Sequence, residues 1–239
     1  MQDREYFDTL VRHDGDFNPF TDRGWLTLAR RFSAIAPGDR RLRVLDVGCG
    51  TGQSRRVYSS HAAWYLGVDL SHEAVAVARR RDPPISFLQA DAGRLPVADR
   101  SVDLVAFSSV LHHLDDRPRA LAEARRVLEP GGLVFAFDPN LHHPAMLLFR
   151  HPSSPLYRAE GVSPNERPLA PATLRREFAA AGFDQIGQRC VSDIPYREVP
   201  VRALNTLLPI YHGADWLWER SGLGRWFGTF VVTWGHKPD

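Results

Sequence analysis

The stretch Arg43-Val-Leu-Asp-Val-Gly-Cys-Gly-Thr-Gly52 decides how the rest of the chain is read. An apolar strand, Leu42–Val47, runs directly into glycines at 48, 50 and 52. Glycine reaches positive φ at no steric cost and has no Cβ, so the backbone turns sharply and lets a ligand approach closely. A strand, such a loop and a helix behind it open a nucleotide-binding α/β unit. The spacing excludes two common versions of that unit. The dinucleotide fingerprint G-x-G-x-x-G needs its third glycine where Gln53 stands, and a P-loop needs a Gly-Lys-Ser/Thr that does not follow. No cation lies within the loop to meet a phosphate, and Asp46 just before it repels phosphate but attracts an amino group. A positively charged ligand with an amino-acid part and a ribose suits these residue types.

Outward from the loop, apolar runs alternate with helical patterns. Strands are expected at Trp64–Val68, Ile85–Ala90, Val102–Phe107 and Leu133–Phe137, the last entered through a sharp turn at Pro130-Gly131-Gly132. Between them, Ser71 caps a helix over Ala74–Arg81, and Pro118 opens another that ends at Leu128. Strands alternating with helices of this length argue for a parallel sheet covered on both faces. Late strands at Asp184–Ser192 and Thr229–Trp234, without a clean crossover helix between them, predict an antiparallel closing pair. The expected architecture is a seven-stranded, mostly parallel, Rossmann-like sheet with one antiparallel strand near the C-terminus and helices on both faces. It divides into an N-terminal helical lid (1–40), a nucleotide-binding core (41–139), insertions with strand 6 (140–228) and the last strand (229–239), all in a single domain.

Asp69 ends the second strand roughly 20 residues after the glycine loop, where a carboxylate accepts hydrogen bonds from two ribose hydroxyls. Asp91 ends the third. With Asp46, three acids line the carboxyl edge of one sheet, where open α/β sheets bind ligands. Any one of them could be an N-cap or a solvated loop residue; three at successive strand ends argue for a site.

Val44-Leu-Asp-Val-Gly-Cys-Gly-Thr-Gly52 resembles the first motif of the class I S-adenosylmethionine-dependent methyltransferases. Gly67-Val-Asp-Leu-Ser71 is similar to the second, and Asp91-Ala92 followed by Leu95-Pro96 to the third. Val102–Leu114 resembles the fourth, and Glu123–Gly132 the segment leading to strand 5. Together these cover roughly residues 42–138, in order. The resemblance implies S-adenosyl-L-methionine as cofactor, S-adenosyl-L-homocysteine as product, and Asp46, Gly48, Cys49, Gly50, Asp69, Leu70, Asp91, Ala92, Ser108 and His113 around it.

Methyl transfer from a sulfonium is an in-line displacement, so positioning is the main task and can supply about 7–11 kcal/mol. An oxygen acceptor must also lose a proton, which favours a base. His112, just past strand 4, and Asp138, at the end of strand 5, come together across the same pocket mouth if the two strands are neighbours. A carboxylate there fixes the imidazole tautomer. Related small-molecule O-methyltransferases often place an acid–base residue at these strand ends, so O-methylation with His112 as base and Asp138 as partner is expected. The alternatives are C- or N-methylation by proximity alone, and a non-methylating enzyme such as a cyclase that uses the same cofactor site. His113 could pack on the cofactor's methionine end.

The insertions are rich in aromatic and aliphatic residues, and suit a small apolar or aromatic acceptor of natural-product type. Tyr6, His142, Met146, Tyr211 and Trp216 are the candidate acceptor residues. A hydrophobic mini-core or a homodimer face would use the same composition. His142, His143 and His151 lack Cys or Glu partners at ligand spacing, so no metal site is expected. Net charge is +2 and no basic stripe accompanies the aromatics, which argues against nucleic-acid partners. Trp216 and Trp218 stand beside Arg220 and Arg225, yet the cations are few and membrane contact is not expected. Two cysteines without a framework, and an N-terminus without an apolar core, point to a soluble cytoplasmic enzyme.

Overall fold

Strands β1 (Leu42–Val47), β2 (Ala62–Asp69), β3 (Ser86–Gln89), β4 (Val102–Ser108), β5 (Leu128–Pro139), β6 (Asp184–Val191) and β7 (Phe230–His236) form a single sheet. Their order is β3-β2-β1-β4-β5-β7-β6. The first five strands pair in parallel, and β7 runs antiparallel to both its neighbours. The computed structural model describes residues 2–38, 40–159, 161–198 and 202–239, and the side chains of 202–204 are outside that description. Residues 199–201 of the second expected insertion also lie outside the described residues.

Alternation along β4 explains why helices cover both faces. Val105 and Phe107 point into one core with Leu121 and Ala124 of α5 (Arg117–Val127) and Leu174 and Phe178 of α7 (Pro171–Ala180). Leu104 and Ala106 point the other way, to Phe32 of α2 (Asp22–Ser33), Tyr58 of α3 (Arg55–Tyr58) and Val75 of α4 (His72–Arg81). Successive strand residues face opposite sides, so an uninterrupted apolar run needs a core on each. Each such buried side chain contributes about 1.5–3 kcal/mol.

The chain reverses direction across the sheet between β1 and β4, which puts a crevice at their carboxyl ends. α1 (Gln2–Asp14) crosses this edge and is pinned at two points along its length. Near its start Asp3 accepts hydrogen bonds from the Asn165 N–H (3.0 Å) and the Ser163 hydroxyl (3.2 Å). Farther along, Asp8 accepts from the Ser71 hydroxyl (2.6 Å) and the Glu73 N–H (3.1 Å) at the head of α4.

Two expectations are corrected. Pro130-Gly131-Gly132 does not end one element before the next; β5 runs through it from Leu128, because Gly131 N–H donates to Lys237 O and Lys237 N–H returns to Gly132 O. The region from 195 to 228 is also more regular than its composition suggests. It holds a 3-10 turn, α8 (Leu208–Arg220) and α9 (Gly224–Phe227). Pro209 is in the first turn of α8, where its missing N–H costs nothing. The earlier insertion contributes the short apolar α6 (Pro144–Phe149), none of whose residues is buried.

Candidate active site

The glycine loop is fixed from below and open above. Gly48 and Cys49 N–H both donate to Val68 O, and Cys49 tucks its side chain into the core. Gly48 has φ +77, and a Cβ there would lie 2.5 Å from Val110. Gly50 has φ +52, but a Cβ at that position would meet nothing within 4 Å. The backbone at Gly50 therefore borders free space, while Gly48 is pressed against the strand-4 turn. Gly50 N–H donates to Asp69 Oδ2 (2.8 Å) and Ser71 N–H to Oδ1 (2.9 Å). Burial pushes the Asp69 carboxyl up, and the two backbone donors pull it back. Held this way, each oxygen keeps a lone pair for a further donor, which fits a ribose diol.

Asp91 stands at the end of β3 as expected; Oδ1 caps its own turn by accepting from Gly93 N–H at 2.8 Å. Ala92 is buried beside it and Leu70 is exposed next to Asp69. A carboxylate at this edge with a free second oxygen suits an exocyclic amine.

Asp46 does something else. It is fully buried, and its oxygens accept from Ser54 Oγ (2.6 Å), Tyr65 OH (2.6 Å) and Ser108 Oγ (2.5 Å). The expected contact with an amino group is corrected on this ground: the carboxylate is committed to three hydroxyls beneath the loop. Burial raises its pKa to about 6 despite those bonds. Ser108, also expected at the cofactor, belongs to the same cluster and pairs with Tyr58 OH at 2.8 Å. Burial holds the Tyr58 and Tyr65 phenols well above their usual range, so both remain protonated partners of the cluster. Sequence spacing gave no signal for these two tyrosines.

Beyond β4 the chain passes through Ser109 at φ +55, a left-handed position that a non-glycine residue adopts at a cost. The turn swings the 3-10 segment Leu111–His113 over the end of β5. There Asp138 Oδ1 accepts both the His112 backbone N–H (3.1 Å) and His112 Nδ1–H (2.8 Å). The two residues expected to meet do meet, and both are buried. Asp138 Oδ2 is buried without a partner in the described structure. With Nδ1–H on the carboxylate, the tautomer leaves the Nε2 lone pair as the available base.

His113 turns to the lid. Its ring lies tilted against that of His112 with centroids 3.9 Å apart, and Nδ1 meets Ser163 Oγ at 2.8 Å. Asp3 Oδ2 lies 3.6 Å away and Phe7 packs edge-on at 5.2 Å. Through these contacts His113 helps to dock α1. Burial lowers the His113 pKa, and the neighbouring His112 adds to that.

The expected acceptor residues separate. Tyr211 and Met146 are partly buried, and Tyr211 packs against His143 and Tyr196. Tyr6 faces an open groove along α1 with Glu5 and Leu10. His142 is exposed, and Trp216 stands 41% exposed under Arg220, so neither belongs to an interior wall. His143 and Trp218, which belong to the insertions expected to form the lid, come together. Their rings lie 5.9 Å apart, and His143 Nδ1 and Trp218 Nε1 are buried without partners among the described residues.

Known proteins similar to this chain point to one family. A model of the methyltransferase domain matches residues 45–136. A demethylmenaquinone methyltransferase of Renibacterium salmoninarum is 32% identical over 196 residues, covering 80% of this chain and 81% of that protein. A malonyl-[acyl-carrier protein] O-methyltransferase of Pectobacterium atrosepticum is 36% identical over 108 residues, 45% of this chain and 43% of that protein. Among solved structures, the [4+2]-cyclase SpnF shares the fold, with TM-score 0.65 and 21% identity over 98% of this chain and 95% of that one. The chain belongs to the class I S-adenosylmethionine-dependent methyltransferases. Its cofactor is S-adenosylmethionine, which supplies an electrophilic methyl group on a sulfonium.

Proposed function

We propose that the enzyme methylates a small apolar acceptor bearing an acidic hydroxyl, with oxygen the favoured site, and that His112 removes the hydroxyl proton. The observation that carries this reading is the buried His112–Asp138 pair at 2.8 Å. Asp138 holds Nδ1–H and stabilises the imidazolium that forms when Nε2 takes the proton. The acceptor oxygen then bonds to the methyl carbon as the carbon–sulfur bond breaks, and His112 returns its proton to solvent. Gly50, Asp69 and Asp91 would hold the cofactor. Removal of the hydroxyl proton from a phenol or hydroquinone also places negative charge on ring carbons, so the same pair would serve a carbon acceptor of quinone type. The 32%-identical demethylmenaquinone methyltransferase supports keeping that acceptor class in view.

The test is S-adenosylhomocysteine formation against a panel of phenols, hydroquinones and acyl carboxylates. His112→Ala is expected to cut kcat about 10²–10⁴-fold, with S-adenosylhomocysteine affinity nearly unchanged. Normal kcat with normal affinity would remove the base role. Acceptor turnover without S-adenosylhomocysteine would move the enzyme to the non-methylating class.

A further inference from the structure

The outer surface of the second insertion is unlike the rest of the molecule. Most of the large apolar side chains that stand exposed among the described residues lie on the two insertions. On α8, Ile210, Gly213, Ala214 and Leu217 recur at helical spacing on the solvent side, with Ile210 72% and Leu217 61% exposed. On and beside α9, Leu223, Trp226 and Phe227 extend the apolar surface, Trp226 at 61%.

The charges are sorted by face. From 208 to 228 the only acids are Asp215 and Glu219, and both turn inward. Asp215 accepts from Asp193 N–H (2.7 Å) and Thr229 Oγ1 (2.7 Å). Glu219 accepts from the Arg31 guanidinium and from Ser192 N–H. The cations stay outside: Arg220 lies over Trp216 at 5.1 Å and Arg225 over Trp226 at 5.5 Å. The outward surface is apolar, tryptophan-bearing and cationic, with no carboxylate of its own helices.

From this we infer that α8 and α9 form a docking face for an anionic lipid surface. An amphipathic helix with apolar residues on one side and arginines beside them lies in the plane of a bilayer interface. Tryptophan places its ring among headgroup-level atoms, and arginine stems bury while their heads reach phosphate. A twofold copy of the chain is a poorer occupant, because it would bring both arginines of each copy into one seam without an acid to meet them. The chain touches the bilayer rather than crossing it: no helix among the described residues is long and apolar enough to span one. The contrary expectation from sequence counted the cations, whereas folding removes the acids from their side. The inference stands whether or not His112 is the base. Its consequence for chemistry is positional, since Tyr211 and Trp218 on other sides of the same helix meet His143.

The experiment is co-sedimentation of the full chain with phosphatidylcholine vesicles and with mixed phosphatidylcholine–phosphatidylglycerol vesicles, alongside its solution mass. Binding to the mixed vesicles is expected to exceed binding to the neutral ones at least about tenfold, and to weaken with salt. The double variant Ile210→Asp, Leu217→Asp should lose about tenfold or more of that binding, and Arg220→Glu with Arg225→Glu should lose the preference for anionic lipid. S-adenosylhomocysteine affinity serves as the check that both variants fold. Absence of binding to anionic vesicles, or equal binding by the folded variants, would overturn the inference. So would a dimer abolished by Ile210→Asp, Leu217→Asp.

Discussion

The two halves of the sheet edge are built on opposite terms. At the donor half, the carboxylates of Asp46 and Asp69 are answered within the protein, the first by three hydroxyls and the second by two backbone N–H groups. At the acceptor half, Asp138 Oδ2, His143 Nδ1, His212 Nε2 and Trp218 Nε1 are buried without partners among the described residues. α6 buries no residue, and α8 buries only Asp215. An unpaired buried polar group costs about 1–3 kcal/mol. The donor half is thus closed on itself, while the other half carries buried polar atoms unpartnered among the described residues, which under the proposed function would face the acceptor.

The largest expected effect on cofactor binding lies on the donor side. Asp69→Ala should weaken S-adenosylhomocysteine binding by about a hundredfold or more, the loss of two charge-assisted hydrogen bonds to hydroxyls. Calorimetry reads this directly, and affinity within a few fold of wild type would mean the ribose is held elsewhere.

Gly48→Ala and Gly50→Ala sharpen the contrast inside the loop. At Gly48 the left-handed φ and the clash with Val110 act together, and the expected loss of stability is about 2–5 kcal/mol. At Gly50 only the φ strain applies, about 1–2 kcal/mol, but the new methyl group projects into the open space and cofactor affinity should fall more than stability. Denaturant melts with and without S-adenosylhomocysteine separate the two. Equal stability losses would show that the space above Gly50 is not free.

The most local effect concerns the lid. The Asp3 carboxyl would be raised by burial, but the neighbouring His113 imidazole and the hydrogen bonds from Asn165 N–H and Ser163 Oγ outweigh this and hold it below the usual range. His113 is also lowered, by burial. For both groups the sign is the same: the detached state binds the proton more readily, so α1 is most firmly docked above about pH 6.5. Its anchorage weakens first as His113 is forced to protonate, and further as Asp3 titrates. Hydrogen exchange in α1, corrected for its intrinsic pH dependence, should accelerate from pH 7.5 to 5.5. Asp3→Ala should remove about 1–3 kcal/mol of docking stability. Protection independent of pH would disconnect the lid from His113.

What sequence made legible follows the range over which the forces act. β1 falls at Leu42–Val47 as expected, and Ser71 caps α4 by accepting from Ala74 N–H, because a strand–loop unit and a cap are decided within a few residues. The meeting of His112 with Asp138 was legible because neighbouring parallel strands end at the same edge. The cage around Asp46 was not. Its hydroxyls come from Ser54, Tyr65 and Ser108 on separate elements, and a carboxylate before a glycine loop looks the same whether it faces a ligand or the core. The Asp3 anchor, 160 residues from Ser163, was equally hidden. On α8, Trp216 and Trp218 were grouped by adjacency, but two steps on a helix turn about 200°, so one lies outside under Arg220 and the other beside His143.

Ser108 and Ser109 are consecutive, and that adjacency has a mechanical consequence. Ser108 is clamped to Asp46 beneath the donor loop, while the left-handed turn at Ser109 carries His112 to Asp138. The glycine loop and the His112 imidazole therefore share a single mount, which under the proposed function would hold both reactants. A shift of the clamp by a fraction of an ångström would displace both together and leave their mutual spacing intact. α8 is mounted separately, through Asp215 on Asp193 N–H and Thr229 Oγ1 at the other end of the sheet, so a change there need not move the Ser108–Ser109 mount.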